Sequence, residues 1–121
     1  DQQALALTHD QTVAQGLADA GIITDETLER HRLRNVLWNF LGVGDDITGQ
    51  PEIRTTCLEP GDRLLLMTDG VSDTLDASRL LQVTAPCLTP KVAASRLVQT
   101  ALSEGAMDDA TCLAVFADAA E

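Results

Sequence analysis

The chain has 121 residues, enough for one domain with a modest core. Hydrophobic residues make up 45% and charged residues 22%, a globular composition that excludes a disordered chain. Nineteen acidic against eight basic residues leave a net charge of −11, which argues against nucleic acid or an anionic membrane as a partner.

Residues 4–8 alternate weakly and fit a short strand. Thr8-His9-Asp10 offers capping oxygens ahead of Val13, Ala14, Leu17 and Ala18, which fall at helical spacing before a stop at Gly21. Thr24 is an N-cap for a second helix to about Arg32, with Asp25 and Glu26 in the dipole-favoured first turn. The dense apolar run 36–41 reads as a buried strand or a helical turn, and residues 42–51 as a loop. Residues 52–58 alternate, Pro60-Gly61-Asp62 turns, and Leu64-Leu65-Leu66-Met67 is continuously apolar. This predicts a hairpin whose second strand is buried on both faces. Asp76 or Thr74 caps a short helix through Leu80 and Leu81. Pro90 opens a longer helix with Val92, Ala93, Arg96, Leu97 and Ala101, which Gly105 ends. A last strand covers 110–116, and the predicted class is α+β.

The aromatics are Trp38, Phe40 and Phe116, so the core is aliphatic. Cys57, Cys87 and Cys112 are odd in number and form no CxxC pair. They read as core or near-surface residues in a reducing, cytoplasmic setting. No apolar run approaches the roughly 20 residues that span a bilayer, and no signal peptide is recognisable. The chain begins at Asp1 without an initiating Met, so a segment of a longer protein is the expectation.

Chemistry can sit where acids border strands. Asp69 directly follows one apolar run, and Asp108 and Asp109 precede another. If those strands are antiparallel neighbours, the carboxylates converge on one sheet edge, where a hard divalent cation would relieve their repulsion. Asp73 lies four residues beyond Asp69 and can turn back to the same place. The plainer alternative is turn chemistry, in which Asp-Gly and Asp-Asp are common. His9 and His31 have no partner at zinc spacing. Ser72 is in no nucleophile elbow, and Gly42-Val43-Gly44 is wrongly framed for a phosphate loop. Arg30, Arg32 and Arg34 form a basic cluster that suits either a solvated helix end or contact with a substrate phosphate.

The ordered motifs resemble the C-terminal half of the metal-dependent PPM, or type-2C, protein serine/threonine phosphatases. Leu7-Thr8-His9-Asp10-Gln11-Thr12 is similar to the Leu-Thr-x-Asp-His-Ser segment. Leu17–Thr24 and His31–Leu37 resemble Gly-x-Ile-Thr followed by His-Pro-x-Arg-Asn-Val-Leu. Pro60-Gly61-Asp62, Thr68-Asp69-Gly70-Val71-Ser72-Asp73 and Asp108-Asp109-Ala110-Thr111 resemble the family's Pro-Gly-Asp, Thr-Asp-Gly-hydrophobic-x-Asp and Asp-Asn-x-Thr motifs.

The resemblance implies part of a β-sandwich flanked by helices, with residues 1–121 as the C-terminal portion of one domain whose N-terminal half is missing. It implies hydrolysis of phosphoserine and phosphothreonine proteins by a metal-activated water, with two or three Mn²⁺ or Mg²⁺ ions in the complete domain. Asp69 and Asp108 match metal-ligand positions and Asp73 a ligand of an additional metal. Residues from about 16 to 34 match a mobile flap, a substrate-contact region that includes Arg32 and Arg34. Asp-Gly-Met-Gly-Gly, whose Asp bridges both metals, is absent, as are an upstream acidic ligand and the phosphate-holding arginine. Gln11-Thr12, Arg32 and Asp109 are mild departures. The chain alone is therefore expected to be weakly active or inactive. The alternative is a non-catalytic phosphatase-like module that binds regulatory or phosphorylated partners.

Overall fold

Five residues, Arg63–Met67, form strand β1, and Cys112–Phe116 form β2. The computed structural model describes residues 2–42 and 51–118. These fall into two compact units, one of residues 2–5 and 56–118, the other of residues 6–42 and 51–55. The strands pair antiparallel in the larger unit, with Arg63 opposite Phe116 and Met67 opposite Cys112. Alternation divides the ribbon into two faces. Leu65, Met67 and Cys112 pack toward the core, whereas Leu66 and Leu113, facing each other, are 54% and 55% exposed.

Short α3 spans Asp69–Ser72. Helix α4 spans Ala77–Thr84, and the Asp76 carboxylate caps it by accepting from the Arg79 N–H at 2.7 Å. Helix α5 spans Pro90–Ser103, with Pro in its first turn and the Thr89 hydroxyl accepting from the Val92 N–H at 3.3 Å. Helices α3 and α5 pack against the strands, and α4 packs on α5. Ala93, Leu97 and Ala101 recur at i, i+4 and i+8, a single buried stripe. Val71, Leu75, Leu97 and Ala101 form the core, with Leu80 and Val83 of α4 packed onto it. Arg63 donates to the Thr84 carbonyl and stacks on Phe116 with 4.3 Å to the ring centre, so one guanidinium serves the C-terminus of α4 and a cation–π contact. Arg79 and Glu104 tie α4 to the end of α5, with Nε to Oε1 at 2.8 Å.

In the smaller unit α1 spans Val13–Asp19 and α2 spans Asp25–Leu28. Backbone bonds from Val13 N–H to Val36 O (2.7 Å) and from Trp38 N–H to Gln11 O (3.0 Å) hold residues 36–38 beside the entry to α1.

Several expectations need correction. The ladder of β1 goes to β2, and residues 52–58 form no strand. The Pro60-Gly61 turn is bonded to Ala117 instead: Gly61 N–H reaches Ala117 O and Ala117 N–H reaches Asp62 O, extending the β1–β2 pairing outward. β1 is not buried on both faces, because helices cover one side of a two-stranded ribbon and Leu66 lies on the other. Thr12, rather than Thr8-His9-Asp10, caps α1. Helix α2 stops at Leu28, short of Arg32. The run 36–41 is neither helix nor buried strand: Leu37 makes a lone bridge to Thr12, and Trp38, Phe40 and Leu41 are exposed. Most of the 42–51 loop lies outside the described residues.

The three cysteines are free thiols: Cys57 exposed, Cys112 half-buried and Cys87 buried. Burial pushes the Cys112 thiol up, which lowers its reactive thiolate fraction. Alkylation at pH 8 followed by mass spectrometry is expected to label Cys57 first and Cys112 much later. Leu97→Ala, which empties the centre of the core, is expected to cost about 2–5 kcal/mol in denaturant unfolding.

Candidate metal centre

The apolar strand β1 ends at Met67, and the antiparallel register makes Thr68 the next residue opposite Thr111. Thr68 continues the ladder, its N–H donating to Thr111 O at 3.0 Å. Its hydroxyl does more, donating to Asp109 O at 2.9 Å and accepting from the Thr111 N–H at 2.9 Å. The segment that carries Asp69 is thus bonded to the segment that carries Asp108 and Asp109.

Gly70 closes the contact. A Cβ at this buried position would lie 2.5 Å from Asp109 O and 2.8 Å from Asp108 O, both backbone atoms. Only glycine lets the start of α3 approach the 108–109 backbone this closely. Asp69 is the first residue of α3, and Asp108 stands just before β2, its Oδ1 accepting from the Asp109 N–H at 2.7 Å. Asp73 lies one turn beyond Asp69, its N–H donating to Asp69 O at 2.8 Å. Both acidic segments occupy one end of the ribbon.

Carboxylate oxygens are hard donors suited to Mg²⁺ or Mn²⁺, and the Gly70 cradle fits a site that needs both segments near one another. Among the described residues, however, no three His, Cys, Asp or Glu side chains gather closely enough to hold an ion. Asp69, Asp73 and Asp108 do not make a complete ligand set by themselves.

Arg32 and Arg34 are exposed, and Arg34 Nη1 donates to Glu29 O at 3.1 Å just past α2, the behaviour of a helix-end cation. His31 Nδ1 accepts from the Leu33 N–H at 3.2 Å, and His9 Nδ1 lies 3.8 Å from Asp19. Asp62 builds its turn, accepting from the Glu59 N–H at 2.9 Å. The smaller unit also holds a cleft of about 320 Å³, lined by His9, Asp10, Asp19, Trp38 and Glu52, that the sequence did not signal. Its Glu52 carboxyl is held below the usual range by the hydrogen bond from Arg54. Thr68 and Gly70 are the site residues that sequence reasoning passed over as motif filler. Their signal was the Thr-Asp-Gly triplet at a strand end.

A family model, Stage II sporulation protein E (SpoIIE), matches residues 11–117. The chain belongs to the SpoIIE-type PPM phosphatase family. It is 31% identical over 105 residues to the protein phosphatase PhpP of Streptococcus pneumoniae, covering 87% of this chain and 42% of that protein. It is 33% identical over 113 residues to the serine/threonine protein phosphatase PstP of Mycobacterium tuberculosis, covering 92% of this chain and 21% of PstP. The crystal structure of the PPM Ser-Thr phosphatase MsPP from Mycobacterium smegmatis superposes with a TM-score of 0.76 at 33% identity, over 92% of this chain and 47% of that one. The chain therefore spans less than half the length of the relatives it matches, and its α+β fold is a part of the PPM fold.

Gly70→Ala must push the 108–109 backbone away from α3. It is expected to lower stability by about 1–3 kcal/mol, read by thermal or urea unfolding. Gly105→Ala, where no atom lies within 4 Å of an added Cβ, is the comparison for a purely conformational cost at φ +93°.

Proposed function

We propose that this chain is the metal-binding C-terminal portion of a protein serine/threonine phosphatase that hydrolyses phosphoserine and phosphothreonine in protein substrates. The joining of the Asp69 and Asp108 segments at one end of the β1–β2 ribbon carries the reading. The family membership supports it.

Asp69 and Asp108 would hold a divalent ion in common, and Asp73 would serve an additional one. Bound Mn²⁺ or Mg²⁺ supplies charge neutralisation at the phosphoryl group and acidifies a water. The protein residues would position: β1 and β2 lead the two acidic segments to one end of the ribbon, and Thr68 and Gly70 hold their backbones together. The remaining ligands come from the part of the phosphatase domain that this chain does not span. Residues 16–34 are the proposed flap, where exposed Arg32 and Arg34 are available to a substrate phosphate. Among the described residues no helix is long and apolar enough to cross a membrane, and the free thiols support a reducing, cytoplasmic setting.

The test is Mn²⁺-dependent hydrolysis of a phosphothreonine peptide by the intact protein. Activity is expected to vanish on chelation, to fall on the order of 100-fold or more in Asp69→Asn, and to be very low for the 121-residue chain alone. An inactive intact protein that still binds phosphopeptides would instead establish the non-catalytic module.

A further inference from the structure

The geometry points to Thr68 as a positioning residue that sets metal affinity by clamping the Asp69 segment to the Asp108 segment. The inference rests on the metal reading of these two aspartates. Thr68 is bonded across the junction through both its backbone and its side chain. Its N–H engages Thr111 O at 3.0 Å, its hydroxyl hydrogen engages Asp109 O at 2.9 Å, and its hydroxyl oxygen takes the Thr111 N–H at 2.9 Å.

The hydroxyl bonds do not belong to the regular ladder. A ladder needs only main-chain groups, and here a side chain bonds both Asp109 and Thr111 in the segment that leads into β2. It thereby fixes the backbone on either side of Ala110, at Thr111 and at Asp109, the neighbour of Asp108. On its own side, Thr68 immediately precedes Asp69, and its carbonyl accepts the Val71 N–H at 2.9 Å to start α3. Neither acidic backbone segment can shift along the ribbon without breaking a bond to Thr68. Divalent cations with strict octahedral preference punish such shifts, and residues that orient ligands typically govern metal affinity by 10–100-fold.

The hydroxyl, and not the size of the side chain, is therefore the operative group. Thr68→Val keeps the shape and loses both hydroxyl bonds, whereas Thr68→Ser keeps the hydroxyl and loses a methyl. Mn²⁺ binding by the intact protein, measured by calorimetry without substrate, separates them. Thr68→Val is expected to weaken binding by about 10–100-fold, and Thr68→Ser to stay within about twofold of wild type. Leu97→Ala, destabilising but remote from the junction, is expected to leave affinity within that same margin. If Thr68→Val fails to fold, Thr68→Ala below its melting temperature, with the Mn²⁺-induced shift in Tm as the readout, replaces it.

Unchanged affinity in the Val or Ala variant, alongside lost binding in Asp69→Asn, overturns the clamp and leaves the metal reading standing. Equal weakening in Leu97→Ala overturns it too, because general destabilisation would then suffice. An intact protein that does not bind Mn²⁺ at all overturns the metal reading itself.

Discussion

The structure turns on a backbone contact: the carbonyls of Asp108 and Asp109 rest where residue 70 has no side chain. Every larger feature of the candidate centre follows from it. β1 and β2 must be antiparallel neighbours for their ends to meet. α3 must begin at Asp69, immediately after the strand, to bring Gly70 under the partner backbone. Val71 and Leu75 then enter the core beneath the junction, where Leu97 and Ala101 of α5 meet them. Core packing and site geometry are thus one arrangement read from its two ends.

Local chemistry was legible and long-range pairing was not. Thr24, Pro90 and the choice between Asp76 and Thr74 announced their helices because a start signal acts within three residues of itself, and the structure selects Asp76. The placement of Asp69 and Asp108 at strand ends was legible for the same reason: apolar runs stop there. The partner of β1 was not, since β2 lies some 45 residues away and nothing local encodes that choice. The alternation of residues 52–58 advertised a strand and a nearby turn offered a hairpin, yet that turn is bonded to Ala117. The leucine run 64–66 suggested burial on both faces because a continuous apolar pattern does not say which side a neighbour will cover. The three-bond role of Thr68 could not be read at all, since it depends on atoms 41 and 43 residues distant.

The chain's partial span of its relatives bears on both the apolar surface and the ligand count. Leu66 and Leu113 oppose each other on the outer face of the ribbon, more than half exposed. Covering such surface contributes roughly 25 cal/mol per Å², so this face gains from whatever further chain accompanies it. The same holds for coordination. Two aspartates at the junction fall short of the six oxygens that Mg²⁺ prefers, and the described residues gather no third ligand. Water and the rest of the domain are the sources the proposed function requires.

The central claim is that Asp69 and Asp108 act on the same ion. A double-mutant cycle of Mn²⁺ affinity in the intact protein tests it most directly, using Asp69→Asn, Asp108→Asn and the pair. Shared ligation predicts strong coupling, with each single change removing nearly all the affinity and the second adding little. Independent, additive losses would show that the two carboxylates serve separate sites and would contradict the account.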